Sequence, residues 1–198
     1  MGCLSMSEPF TPEIAAPDDI AAGASKAGAP TTPEGILAYL ANLGLDAPTV
    51  SHEPAFTVEQ SKRITGDIPG AHTKNLFVKD KRGRMFLVVA EHEQRIDLKR
   101  LHEVIGGTGR LSFCSADQMM TFLGVTPGSV TSLAVINDRS HAVSVVIEAA
   151  LMAEPVINCH PLVNSMTTSL SREALLAFFR ATGHEPMILA LPTPVAET

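Results

Sequence analysis

The chain has 198 residues, 45% of them apolar, and a formal net charge of −6. That is enough for one domain with a substantial core and too little for two full domains. No apolar run reaches the ~18–20 residues of a membrane span and the amino terminus has no signal-peptide pattern, so membrane and secreted classes are set aside and a cytoplasmic protein with no membrane partner is expected.

In chain order, residues 1–30 are rich in Ala, Pro, Gly and acids without any sustained period, which predicts a flexible tail and places the folded domain over 31–198. The opening MGCLSM is not a myristoylation signal, because Met6 stands where Ser or Thr is required. TTPEGILAYLANLGL carries Thr caps, an early Pro33 and apolar residues Ile36, Leu37, Leu40 and Leu43 at helical spacing before Gly44, a helix of about three turns. TVSHEP reads as a short strand and TVEQSKRIT as a short helix capped by Thr57. KNLFVKD and RMFLVVA flank KRG as a hairpin. DLKRLHEVIGG and SADQMMTFLG read as helices opened by Asp97 and Ser115, with RLSFC a strand between them. SVTSLAVIND, AVSVVIEAAL, PVINCHP and TTSLS read as strands, SREALLAFFRATG as an amphipathic helix and PMILAL as a last strand. The order predicts a mixed α/β, α+β-like single domain, and no glycine fingerprint for a dinucleotide follows a strand.

Charge is unevenly distributed. Residues 62–110 hold eleven of the fifteen Lys/Arg against six acids, a local balance of +5 on an acidic chain. Such a segment is either an ordinary solvated face or a surface for a polyanion.

Three stretches carry candidate chemistry. In HTKNLFVKD, Lys74 stands with His72, Thr73 and Asn75 at the entrance of an apolar strand. Its ammonium either reaches water or points into a cavity, where it would anchor a phosphate or a carbonyl oxygen. In GVTPGSV, Gly124, Pro127 and Gly128 form a plain turn or bring backbone close to a ligand. NCHPLVNSMTTSLS gathers Asn158, His160, Asn164, Thr167 and Thr168 where a strand is expected to be apolar. Cys159 and His160, adjacent on that strand, point to opposite faces and do not form a catalytic pair. The three cysteines and seven histidines are scattered, and EHEQ at 91–94 is not a zinc-binding helix motif, so neither disulfide, metal nor cofactor is expected.

In this order and spacing the three stretches resemble the YbaK/ProX family of aminoacyl-tRNA deacylases, in particular the free-standing proteins related to the prolyl-tRNA synthetase editing domain that clear alanyl-tRNA(Pro). The resemblance extends over roughly residues 33–190. It implies a mixed, partly barrel-like sheet enclosing a small pocket among short helices, and hydrolysis of the ester between a wrong amino acid and the tRNA 3′ end. It implies catalytic roles for Lys74 and His160, and substrate binding by His72, Thr73, Asn75, Gly124, Pro127, Gly128, Asn158, Asn164 and Thr168. The implied partners are the acceptor end of mischarged tRNA(Pro) and prolyl-tRNA synthetase. A cysteinyl-tRNA(Pro) deacylase and a non-catalytic tRNA- or synthetase-binding module are the alternatives.

Overall fold

The computed structural model describes residues 29–54 and 66–194. The tail, apart from Ala29 and Pro30, and the helix expected over 57–65 lie outside the described residues.

Helix α1 (Pro33–Asn42) begins where the Thr32 side chain accepts from the backbone of Gly35 at 3.1 Å, and it buries Ile36 and Leu40. After β1 (Thr49–Ser51) come β2 (Ala71–Lys79) and β3 (Met85–Glu91), the expected hairpin. Its turn closes on the buried Asp80, whose carboxylate accepts from the backbones of Arg82, Arg84 and Thr108 and from the Arg84 guanidinium. Burial alone would raise this carboxyl; the four donors outweigh it and hold its pKa below the ordinary value. The helix expected from Asp97 is only the short α2 (Leu101–Val104), because the Asp97 side chain caps Lys99 in a preceding turn. Strand β4 (Ser112–Phe113) and α3 (Ala116–Gln118) follow, α3 opened by a Ser115–Gln118 capping box. A π-helical turn (Met119–Leu123) ends at Gly124, whose φ of 64° is left-handed.

One expected strand is not a strand. Residues 132–137 form a 3-10 helix (Ser132–Asn137), started by the Thr131 hydroxyl, which accepts from Leu133 N. Ser132 through Val135 are all buried, and a continuous buried run has no periodicity by which strand and helix can be told apart. The remaining elements are β5 (Val143–Glu148), a 3-10 turn (Leu151–Ala153), β6 (Val156–Cys159), β7 (Met166–Ser171), α4 (Arg172–Ala181) and β8 (Met187–Leu189).

The sheet runs β1-β7-β6-β2-β3-β5-β8, with β4 on β2. The pairs β2/β6, β3/β5 and β5/β8 are parallel and the rest antiparallel. The architecture is therefore the expected mixed single domain, but the sheet is open, with β1 and β8 as its ends. Strand β2 is the junction: Ala71 and His72 pair with β6, whereas Thr73 to Lys79 pair with β3.

One face of the sheet carries Phe77, Leu87, Val89, Val145, Ile147, Ile157, Cys159 and Leu170, packed against α1, α4 and the 3-10 helix. The other carries a smaller apolar cluster of Val78, Phe86, Val88, Ala90 and Val146 beneath α2. Among the described residues no helix is long and apolar enough to cross a membrane.

Candidate active site

Successive residues of a strand face opposite sides of the sheet, and this sorts the polar residues. On β2, Thr73 and Asn75 share the side of Phe77 and the main core, while His72 and Lys74 share the side of Val78 and the smaller cluster. Asn158 stands opposite His72 in the β2/β6 register, and Ser169 opposite Asn158 in the β6/β7 register. The second face thus changes from apolar, over β3 and β5, to polar where β2 meets β6 and β7.

Lys74 marks that boundary. Its ammonium donates to the backbone carbonyl of His92 at 3.2 Å and to that of Gln94, both in the turn leaving β3. Partial burial lowers its pKa, opposed by the negative charges of Glu91 and Glu148. Two neutral acceptors fix the direction of the charge without pairing it to a carboxylate.

Beside it, His72 Nε2 donates to Ile68 O at 3.2 Å and lies 3.4 Å from the Asn158 amide nitrogen. The rings of His72 and His92 meet edge to face with centroids 5.8 Å apart. His92 Nδ1 is 2.9 Å from Glu91 Oε1, an ion-pair distance without hydrogen-bond alignment. Asn158 is held at both ends of its amide, donating to Pro69 O at 3.1 Å and accepting from Ser169 Oγ at 2.7 Å. His160 Nδ1 donates to Met166 O at 3.0 Å, which leaves Nε2 with the lone pair. Burial lowers the His160 pKa, with His52 and His72 adding repulsion. The ring is thus biased toward its neutral, proton-accepting form. His52 completes the row: its Nδ1 donates to Glu53 O at 2.8 Å and its Nε2 accepts from Thr167 Oγ1 at 2.9 Å.

The other candidates stand elsewhere. Thr73 Oγ1 donates to Asn158 O at 2.9 Å. Asn75 Oδ1 is buried with no hydrogen-bond partner among the described residues. Thr168 is fully buried on the core side, donating to Thr49 Oγ1 at 2.8 Å, because that oxygen itself donates to Ala47 O. Asn164 lies in the turn between β6 and β7. Pro127 and Gly128 are exposed in a turn closed by Ser129 N donating to Thr126 O at 3.0 Å. At Gly124 an added Cβ would fall 2.7 Å from the Asn137 amide and 2.8 Å from Pro30, so glycine is required there by packing as well as by φ. Cys159, 1% exposed, accepts from Ser132 Oγ at 3.1 Å, and burial pushes its thiol up to about 11. It is inert as a nucleophile and faces away from His160.

The structure thus places His72, Lys74 and Asn158 on one polar face, with His160 near His72. It adds His52, Glu91, His92, Gln94 and Glu148, which sequence reasoning passed over. EHEQ invited only a test for zinc spacing, yet this turn supplies the carbonyls that hold Lys74; backbone acceptors leave no side-chain signature.

Residues 52–178 match the family model described as the aminoacyl-tRNA editing domain. The chain is 36% identical over 152 residues to the prolyl-tRNA editing protein ProX of Acetoanaerobium sticklandii, covering 76% of this chain and 92% of that protein. It is 36% identical over 154 residues to the prolyl-tRNA synthetase associated domain-containing protein 1 of Bos taurus, covering 76% and 90% respectively. Among solved structures, one described as a proposed trans-editing enzyme for prolyl tRNA synthetase superposes with a TM-score of 0.59 at 19% identity, over 80% of this chain and 94% of that one. At that identity the likeness concerns the fold.

Proposed function

The chain belongs to the aminoacyl-tRNA editing domain family, and from that membership we propose that it is a trans-editing hydrolase that deacylates mischarged tRNA(Pro), with alanyl-tRNA(Pro) its preferred substrate. The observation that carries this is Lys74: a directed ammonium on a polar patch of an otherwise apolar sheet face that also carries His72 and Asn158; His160, with an unprotonated ring nitrogen, is near His72.

Two of the three ammonium hydrogens go to His92 O and Gln94 O. The third is available to the ester carbonyl, whose oxygen gains negative charge as water adds to the carbonyl carbon. His160 Nε2 takes a proton from that water. Collapse of the tetrahedral intermediate breaks the bond to the ribose oxygen, which leaves as the tRNA hydroxyl on taking the proton back from His160, and the amino acid's new carboxyl loses its remaining proton to solvent. An aminoacyl ester is already activated, so holding water and carbonyl together with one charge-stabilising donor suffices without a protein nucleophile. His72 and Asn158 brace this wall, while Thr73, Asn75 and Thr168 support it from the core side of the sheet; the substrate-binding roles expected of the Gly124, Pro127 and Gly128 loop and of Asn164 stay part of the proposal.

A synthetase site that holds proline cannot sterically exclude the smaller alanine, and each missing methylene is worth only ~1–3 kcal/mol of discrimination. A second site that admits alanine and rejects the proline ring corrects the error. The exposed Lys81, Arg82, Lys99, Arg100 and Arg110 lie along the segment that would meet acceptor-stem phosphates, in the cytoplasm and with prolyl-tRNA synthetase at hand. The test is release of amino acid from alanyl- and cysteinyl-tRNA(Pro) by the purified protein. Faster release of alanine supports the reading, faster release of cysteine replaces the substrate, and binding without hydrolysis of either would make the chain a tRNA-binding module.

A further inference from the structure

The smaller sheet face carries a buried acid at the end of β5. Glu148, the last residue of β5, is 4% exposed. It shares its side with Val146, and Val146 belongs to the same apolar cluster as Ala90 and Val78. Lys74 pairs with Ala90 across β2/β3, and one step beyond the last β3/β5 pair, Val89 with Ile147, Ala90 stands beside Glu148. Lys74, Ala90 and Glu148 therefore form a row across three strands on one face. The outer two Cα atoms are roughly 10 Å apart at ordinary strand spacing. The central residue is a methyl group over which a lysine and a glutamate can reach toward each other.

Glu148 is also tied to the turn that holds the ammonium. Where the β3/β5 ladder ends, its Oε2 accepts from Glu91 N at 3.0 Å. From there the turn closes on itself: Glu93 N donates to Glu91 Oε2 at 2.8 Å, Gln94 N to Glu91 O at 3.1 Å, and His92 N to His72 O at 2.8 Å. The carbonyls presented by this turn, those of His92 and Gln94, are the acceptors of Lys74.

We propose that Glu148 is a positioning residue for Lys74: it anchors the 91–94 turn that aims the ammonium and places a buried negative charge on the same sheet face. This rests on the role given to Lys74 above. The titratable groups around Lys74 are Glu91 and His92 from β3 and its turn, His72 from β2 and Glu148 from β5. Glu91 acts on Lys74 the more strongly but is a third exposed and close to His92, whereas Glu148 is buried and is the one whose side chain ties down the turn.

The test compares Glu148→Gln with Glu148→Ala in deacylation of alanyl-tRNA(Pro), with spontaneous hydrolysis subtracted across the pH range. Gln keeps an oxygen to accept from Glu91 N and removes only the charge. The expected result is a folded Glu148→Gln protein whose alkaline loss of kcat/KM begins ~0.5–1 pH unit lower than in the parent, less than the ~1–3 units of an opposite charge in direct contact, because Glu148 is not paired with the ammonium. Glu148→Ala should lose a further ~10-fold through the loosened turn. A Glu148→Gln profile superimposable on the parent would overturn the proposal, whether Glu148→Ala is impaired or not, since the acid would then be at most a structural acceptor. Lys74→Ala, run alongside, separates the failures: activity retained there removes the role of Lys74 itself, whereas activity lost there with an unshifted Glu148→Gln profile removes only this inference.

Discussion

Replacing Lys74 by Ala should abolish most hydrolysis and leave the fold. The ammonium is a directed charge held by two backbone carbonyls, 3.2 Å from that of His92, and a donor of this kind facing a developing oxyanion is worth ~10²–10³ in rate, about 2.7–4 kcal/mol. The stability cost is much smaller. Loss of two hydrogen bonds from a partly exposed side chain, offset by removing a desolvated charge, comes to ~1 kcal/mol, or about 2–4 °C in Tm for a chain of this length. The assay is single-turnover release of alanine from alanyl-tRNA(Pro), with thermal melts of both proteins. Lys74→Arg should be nearly as slow, because a planar guanidinium cannot donate to the two turn carbonyls and the substrate as a compact ammonium does. A folded Lys74→Ala protein within ~3-fold of the parent rate would refute the reasoning and make Lys74 a tether for the 91–94 turn.

His160→Ala should slow hydrolysis by ~10²-fold, the scale for a general base, and flatten the acid limb of the pH profile; with the His160 pKa lowered by burial, parent activity should hold through pH 7 and fall only as the pH drops below the ordinary histidine value, and an unchanged acid limb in the variant would exclude the base role. Cys159→Ala should keep activity within ~2-fold and cost ~1–2 kcal/mol in melts, as its sulfur lies in the core against Ser132; a loss matching Lys74→Ala would contradict its inert placement. Asp80→Ala should destabilise by ~3 kcal/mol, since the carboxylate closes the β2–β3 turn with charged and backbone donors. Because its pKa is lowered by folding, that contribution is present above the unfolded carboxylate value and lost as pH falls through the folded one, and a parent and variant that stay equally far apart down to pH 2 would argue against it. Affinity for tRNA should fall steeply with salt if the exposed lysines and arginines of 81–110 contact phosphates, and a flat response would remove that surface.

How much of this was legible in the sequence follows from where each signal resides. Caps and turns are local chemistry, so Thr32, Ser115 and the KRG turn marked their elements directly. The 3-10 helix at Ser132–Asn137 reads as a strand in the sequence because its run from Ser132 to Val135 is continuously buried and carries no period. The opposition of Cys159 and His160 was readable from the pleat alone. The partition of Lys74 and Thr168 onto opposite faces required the register of β2, β6 and β7, which no single stretch encodes. The residues that hold Lys74 were the least legible: two are backbone carbonyls, and Glu148 is 74 positions away along the chain.

The most direct measurement is the ratio of single-turnover rates for alanyl-tRNA(Pro) and prolyl-tRNA(Pro) with the parent protein in excess, since a corrective second site must act on the wrong ester and spare the right one. Alanine should be released at least ~100-fold faster than proline, the contrast expected when a small site excludes a ring. Equal rates for the two esters, or no release of alanine above spontaneous hydrolysis, would contradict it.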